Sequence, residues 1–437
     1  MDWVCGPCGP LTGDIQVPGD KSVSHRALML GAIAEGTTRI TGFLEGADCL
    51  ATLSAMRAMG VEIEQPGNGE VIVHGRGLHG LQRPSEPLDV GNAGTAMRLM
   101  TGLLAGQAFD SVLVGDESLM RRPMNRVAKP LGTMGAAIGT QDGLPPVRIS
   151  GGQALTCIDY TMPVASAQVK SALLLAGLYA NGEVRIVEPA PCRDHTERML
   201  TQFGCAVQRD GLTVRMQPPE RLVARDVLVP GDFSSAAFFM VAASLRPGSD
   251  LMIRNVGLNP TRTGLLDMLI EMGANITVFE KLPAAEEPTA DIQVRGTRLR
   301  GIDVAERLVP LAIDEFPSLF AAAACATGTT TVTGARELRV KESDRIGAMA
   351  DALSALGVPA QPSDDGLRVS SGIPTGGTVD SRGDHRIAMA MAVLAGNASG
   401  PVTIRDVANV GTSFPGFANL ARSVGMDVEA SKVSADR

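Results

Sequence analysis

The chain has 437 residues, of which 44% are hydrophobic and 20% charged; it is long enough for two or three domains, and disorder or a small disulfide or metal scaffold is excluded. Aromatic residues reach only 3%, with one Trp, and the formal charge is −8, so neither base stacking nor binding to a nucleic-acid polymer is expected. Glycine is the outlier at 50 residues, about 11% against a usual ~7%.

The chain begins Met1-Asp2-Trp3-Val4-Cys5, without the basic and apolar regions of a signal peptide. Cys5-Gly6-Pro7-Cys8 has the spacing of half a zinc site or a redox motif, but no second pair follows and the five His lie elsewhere, so it reads as incidental. A first apolar helix then closes at Gly36 and a second at Met59-Gly60, with Val61-Glu62-Ile63 alternating as a strand. The pattern returns at Gly106 and Met134-Gly135-Ala136-Ala137-Ile138. It returns at Gly182, with a strand Val184-Arg185-Ile186-Val187, and at Phe203-Gly204-Cys205-Ala206-Val207. Gly248 precedes Met272-Gly273-Ala274-Asn275-Ile276, where Leu265, Met268, Leu269 and Met272 keep helical spacing. Gly328 precedes Leu356-Gly357-Val358-Pro359-Ala360, and Gly400, with a strand Val402-Thr403-Ile404, precedes Val424-Gly425-Met426-Asp427-Val428.

Glycines 60, 135, 204, 273, 357 and 425 lie 75, 69, 69, 84 and 68 residues apart. The chain is thus six copies of a helix–strand–helix–strand unit of roughly 70 residues, too long for the familiar solenoid repeats. Val17-Pro18-Gly19-Asp20 recurs as Val229-Pro230-Gly231-Asp232. That recurrence groups the units into two domains, 20–231 and 1–19 plus 232–437, with chain crossings near 19 and 231. The longest uncharged run, Phe316 to Ala335, becomes Thr- and Gly-rich and cannot span a membrane. Seven scattered cysteines point to a reducing cytoplasm.

The segments that open the first helix of each unit are rich in helix-capping residues: Gly19-Asp20-Lys21-Ser22, Gly91-Asn92-Ala93-Gly94-Thr95, Ala165-Ser166-Ala167-Gln168, Gly231-Asp232-Phe233-Ser234, Asp314-Glu315-Phe316 and Gly383-Asp384-His385-Arg386. Capping alone would explain them. Cations accompany several, however: Lys21, Arg26, Arg98, Lys170 and Arg386. Helix N-termini already favour anions, and extra cations there predict an anion trap for a small, multiply charged substrate. Arg121-Arg122-Pro123, Arg193-Asp194-His195 and Arg339-Val340-Lys341-Glu342-Ser343-Asp344-Arg345 open second helices in the same way. No Walker loop and no His-Glu-x-x-His motif is present. Asp314, Glu342 and Asp384 remain as acid–base candidates. Asp344 and Asp384 read as ion-pair partners, whereas Glu342, between Lys341 and Arg345, reads either as a proton-transfer group or as an ion-pair partner.

The strings Lys21-Ser22-x-x-x-Arg26, Gly91-Asn92-Ala93-Gly94-Thr95-Ala96-Met97-Arg98, Arg122-Pro123-Met124, Ser166-Ala167-Gln168, Asp314-Glu315-Phe316-Pro317, Arg339 to Arg345 and Asp384-His385-Arg386 together resemble the 5-enolpyruvylshikimate-3-phosphate synthase family, in order and spacing, from Leu11 to Val428. The resemblance implies an α/β fold of two similar domains, each of three repeated βαβαββ units (inverted α/β barrel-like), with the active site in the interdomain cleft. It implies transfer of the carboxyvinyl group of phosphoenolpyruvate to the 5-hydroxyl of shikimate 3-phosphate, and inhibition by glyphosate. It gives phosphoenolpyruvate the residues Lys21, Gly94, Arg122, Gln168, Arg345 and Arg386. Shikimate 3-phosphate takes Lys21, Ser22, Arg26, Ser166, Gln168, Arg193, Asp314 and Lys341, and the catalytic set is Asp314, Glu342 and Lys21. No cofactor or metal is implied, and a monomer is expected.

Gly411 departs from the Lys that many members carry before the Ser-Phe-Pro segment, which puts one phosphoenolpyruvate contact in doubt, and Leu99 suggests the family's second sequence class. Two other readings stay in view. UDP-N-acetylglucosamine enolpyruvyl transferases use a loop cysteine, and 116–122 has none. A non-catalytic anion binder would not need Asp314 and Glu342.

Overall fold

The computed structural model describes residues 1–280 and 287–431. Of these, 19–230 and Glu287 form one compact unit, and 1–18, 231–280 and 288–431 the other. In chain order the helices are α1 (Lys21–Ile33), α2 (Ala47–Ala58), α3 (Gly94–Ala105), α4 (Asn125–Thr133), α5 (Ala167–Gly177), α6 (His195–Gln202), α7 (Phe233–Ser244), α8 (Gly264–Glu271), α9 (Phe316–Cys325), α10 (Arg345–Ala355), α11 (His385–Ala395) and α12 (Phe417–Ser423). None is long and apolar enough to cross a membrane among the described residues.

The odd-numbered helices are buried almost all round; every residue of α7 and of α11 is buried. A helix without a polar face belongs in a core. In the first unit α3 packs on both α1 and α5, and in the second α7, α9 and α11 pack on one another.

Each unit carries three small sheets that do not join into a closed barrel. A complete repeat in the first unit runs Leu88–Asp89, α3, Ser111–Val114, α4, Ala137–Gln141, Leu144–Ser150. Its first two strands pair in parallel, as a helical crossover requires, and the remainder are antiparallel.

Two leading strands do not come from the sequence that adjoins them. Val227–Leu228 pairs in parallel with Thr37–Thr41, completing the sheet of the first repeat. Thr12–Gln16 pairs in parallel with Asp250–Gly257, in the other unit. Asp2–Gly6 lies between Val402–Arg405 and Asp427–Ser431 in the last sheet.

Gly60, Gly135, Gly204, Gly273, Gly357 and Gly425 all have positive φ, from +76° to +103°. Each closes its helix in the left-handed conformation that a side chain resists. The other set is less uniform. Gly106 caps α3 with a right-handed φ of −89°. Gly182 and Gly400 lie five residues beyond the ends of α5 and α11, so neither closes a helix as its sequence context suggests. The helices stop earlier and the glycines serve the turns that follow.

Candidate functional site

The N-termini of the core helices gather chemistry in both units, with different balances of charge. On α1, Asp20 caps the helix by accepting from Val23 N, and Lys21 Nζ meets Asp48 Oδ2 of α2 at 2.6 Å. Arg26 points inward and is 3% exposed. It donates to Thr196 Oγ1 at 2.6 Å, to Ser171 Oγ at 2.8 Å and to the Ser22 carbonyl at 2.8 Å. Burial pushes its pKa down to about 10. Arg26 therefore ties α1 to α5 and α6, and any ligand must reach it through donors these contacts leave over.

His25, on the same helix, is fully buried and its Nδ1 meets Thr52 Oγ1 at 2.7 Å. Burial, then Lys21 and Arg26, hold its pKa down at about 3 from an ordinary 6.5, with Asp20 opposing. The folded imidazole is neutral while the unfolded one takes a proton below pH 6.5, so stability falls as pH drops from 6.5 towards about 3. His25→Gln should flatten that part of a plot of Tm against pH; an unchanged slope would remove His25 as a source of acid lability.

At α3 the signature Gly91-Asn92-Ala93-Gly94-Thr95 makes the helix entry. A Cβ on Gly94 would stand 2.9 Å from Arg98 Nη1 and 3.1 Å from Arg122 Nη1. Two guanidinium groups thus flank this glycine at a helix N-terminus, where the dipole and the cations favour the same anionic ligand. Arg122 Nη2 is held by Asn92 Oδ1 at 2.6 Å, and Asn92 Nδ2 donates to Asp116 Oδ2 at 2.7 Å. Arg98 Nη1 donates to the Gly94 carbonyl at 3.2 Å. Gln168, in the first turn of α5, donates to Thr95 Oγ1 at 3.1 Å, and Ser166 caps α5 through Val169 N. Arg193 is half-buried in the segment before α6, close enough to Arg26 to act on its charge.

Lys170 corrects the sequence reading. It is wholly buried, paired to Glu188 and Glu197 at 2.8 and 2.6 Å, so it is not a cation offered to a ligand.

In the other unit the centre is Arg345, 1% exposed. Its Nε meets Asp384 Oδ2 at 2.8 Å, its Nη1 meets Asp314 Oδ1 at 3.3 Å and its Nη2 meets Glu342 Oε2 at 2.5 Å. Burial works against the guanidinium's charge, but Asp384, Glu342 and Asp314 more than offset it and raise its pKa. Asp384 is fully buried, and despite that burial Arg345 keeps its carboxyl below the usual range. It also caps α11 through Arg386 N and accepts from Ser343 Oγ at 3.0 Å. These contacts make Asp384 an ion-pair partner and a cap. Glu342, with a side chain 26% exposed, is the most accessible of the three carboxylates. Lys341 Nζ lies 3.5 Å from Asp314 and 3.4 Å from Glu337.

Arg386 Nη1 donates to the Asp314 carbonyl at 3.0 Å. Behind it Ser234 donates to Glu315, and Arg262 bridges Asp232 and Ser234 at 2.8 Å. Carboxylates outnumber cations in this cluster. Lys341, Arg345 and Arg386 each meet a carboxylate, as Lys21 and Lys170 do in the first unit.

Gly411 is exposed in the 3₁₀ turn Ala408–Thr412, and a Cβ there would meet nothing within 4 Å. Asn409 of that turn donates to the Gly383 carbonyl at 2.7 Å, which sets it against the entry to α11. Spacing on α3 places Arg98 one turn after Gly94, so that neighbour was readable. Asp48, Ser171 and Thr196 carried no signal, because their partners lie far away in sequence.

The fold is that of an enolpyruvyl transferase. The enolpyruvyl transferase NikO from Streptomyces tendae matches with a TM-score of 0.80 over 98% of both chains, at 18% identity. The EPSP synthase (3-phosphoshikimate 1-carboxyvinyltransferase) family model matches residues 6–420, and the chain belongs to this family. The 3-phosphoshikimate 1-carboxyvinyltransferases of Methylococcus capsulatus and Halorhodospira halophila are 59% and 60% identical to it over 430 residues, which is 98% of this chain and 98% and 97% of theirs. The EPSP synthase structure from Acinetobacter baumannii matches with a TM-score of 0.89 at 52% identity, covering 99% of this chain and all of that one.

Proposed function

We propose that the protein transfers the carboxyvinyl group of phosphoenolpyruvate to the 5-hydroxyl of shikimate 3-phosphate and releases phosphate. The observation that carries this reading is the 59% identity to a 3-phosphoshikimate 1-carboxyvinyltransferase along 98% of both chains. The geometry supplies parts that suit the chemistry. A proton added to the methylene carbon of phosphoenolpyruvate leaves cationic character at C2. The 5-hydroxyl adds there, losing its own proton, to give a tetrahedral adduct. Loss of phosphate and of one proton from the new methyl group restores the double bond.

Glu342, reachable and hydrogen-bonded to Arg345, suits the proton transfers at that carbon. Asp314, between Lys341 and Arg345, suits the base at the hydroxyl. Gly94 with Arg98 and Arg122 suits a carboxylate or phosphate, since arginines bind both in a fork. For Arg345 to take an anion it must give up a carboxylate, and Glu342 is the most exposed of those it holds. Shikimate 3-phosphate falls to Lys21, Ser22, Arg26, Ser166, Gln168, Arg193, Asp314 and Lys341, and phosphoenolpyruvate to Lys21, Gly94, Arg122, Gln168, Arg345 and Arg386. Glyphosate is read as a competitor at the latter set, and the protein as a cytoplasmic monomer.

The test is direct. With shikimate 3-phosphate and phosphoenolpyruvate present, phosphate should be released without added metal or nucleotide. Equal turnover with UDP-N-acetylglucosamine in place of shikimate 3-phosphate would overturn the assignment.

A further inference from the structure

Helix α5 is buried from Val169 to Gly177 and carries one charged residue, Lys170, whose side chain is wholly buried. Its ammonium group meets Glu188 Oε1 at 2.8 Å and Glu197 Oε1 at 2.6 Å, and donates to the Cys192 carbonyl at 3.2 Å. Three donors face three acceptors. Arg209 completes the cluster, reaching Glu188 Oε2 at 2.7 Å and Glu197 Oε1 at 3.5 Å, so two cations balance two carboxylates.

Stability does not call for such a cluster. Apolar side chains of similar volume usually serve a core as well, because desolvating charges costs several kcal/mol per ion. What the cluster does provide is a fixed position. Residues 188–194 form neither helix nor strand, and Glu188, Cys192 and Glu197 hold this stretch and the start of α6 at three points. Cys192 immediately precedes Arg193, while Ser166 caps α5 and Gln168 lies in its first turn.

We propose that Lys170 is a positioning residue: it locks the 188–197 segment onto α5 and so sets where Arg193 stands relative to Ser166, for the phosphate of shikimate 3-phosphate. This rests on the functional reading above. Burial by itself would push the Lys170 ammonium towards neutrality, but Glu197 first, then Cys192 and Glu188, hold its pKa above the ordinary value. It therefore keeps its charge and all three donors at neutral pH.

Lys170→Met alone strands a buried carboxylate, so the main test is Lys170→Met/Glu197→Gln, which removes one charge of each sign and leaves Glu188 on Arg209. Binding of shikimate 3-phosphate alone is measured by calorimetry, and KM and kcat by phosphate release. The expected result is affinity weakened roughly 5- to 100-fold, the range of coupling between residues of one network. The phosphoenolpyruvate KM should move less than about twofold, and kcat less than the affinity. Glu197→Gln alone, which keeps Lys170 on Glu188, should give a smaller loss in the same direction.

In an Arg193→Ala background the loss should vanish, because Lys170 acts through Arg193. Unchanged affinity in the double variant, whatever its Tm, or a loss that persists without Arg193, overturns the proposal. Wild-type protein that ignores shikimate 3-phosphate overturns the functional reading, and this inference with it.

Discussion

Glu342→Gln is expected to lower kcat on the order of 10²- to 10⁴-fold, the usual worth of a general acid–base group, while affinity for shikimate 3-phosphate stays within a few-fold. The substitution keeps the size of the side chain and one hydrogen-bond acceptor for Arg345. Arg345 also retains Asp314 and Asp384 at 3.3 and 2.8 Å, so its charge stays compensated and the fold should hold. Only the ability to give and take a proton is lost. Stopped-flow and steady-state phosphate release, with calorimetry for binding, separate the two effects. A kcat within a few-fold of wild type would reduce Glu342 to an ion-pair partner, the other role its place between Lys341 and Arg345 allows.

Gly94→Ala should raise the ratio of the glyphosate inhibition constant to the phosphoenolpyruvate KM. The added methyl meets Arg98 Nη1 and Arg122 Nη1 at 2.9 and 3.1 Å, with Leu119 Cδ1 at 3.6 Å. These first two atoms are the ends of flexible side chains, so the chain can make room and Tm should change little. The cost falls on ligands instead, because the groups that shift are those offered to an anion. Overpacking a close site costs about 1–3 kcal/mol, or roughly 5- to 150-fold in affinity. The longer inhibitor has less slack than phosphoenolpyruvate and should bear more of it. An unchanged ratio would show that Gly94 does not border the phosphoenolpyruvate position.

What the sequence made legible was whatever depends on neighbours along the chain. Six glycines at a regular spacing mark six helix ends because a left-handed residue must almost always be Gly, and all six have positive φ. Asp20, Ser166, Asp232 and Asp384 cap as their positions suggest, because capping spans two or three residues. Pairings across the fold were hidden. Lys170 looks like Lys21, a cation beside a helix entry, yet its partners lie 18 and 27 residues away and take it into the core. The second unit's site looked cationic because Lys341, Arg345 and Arg386 stand out in their strings. Only the structure brings Asp314, Glu342 and Asp384 onto a single guanidinium.

The placement of the first strands has a consequence for biosynthesis. Every strand of the three sheets in the 19–230 unit has left the ribosome once Leu228 emerges. The other unit must wait. Asp2–Gly6 fills an interior place in its last sheet, with neighbours that begin at Val402 and Asp427. Asp2–Gly6 is therefore made some four hundred residues before its partners, and until they emerge that sheet has a gap where its third strand belongs. Closing a loop of this length costs about 3 kcal/mol more than closing a ten-residue one, and the wait leaves apolar side chains such as Trp3 and Cys5 uncovered on the nascent chain. Removing Asp2–Gly6 would thus do its damage far along the chain, by splitting the sheet that Gly377–Asp380, Val402–Arg405 and Asp427–Ser431 build.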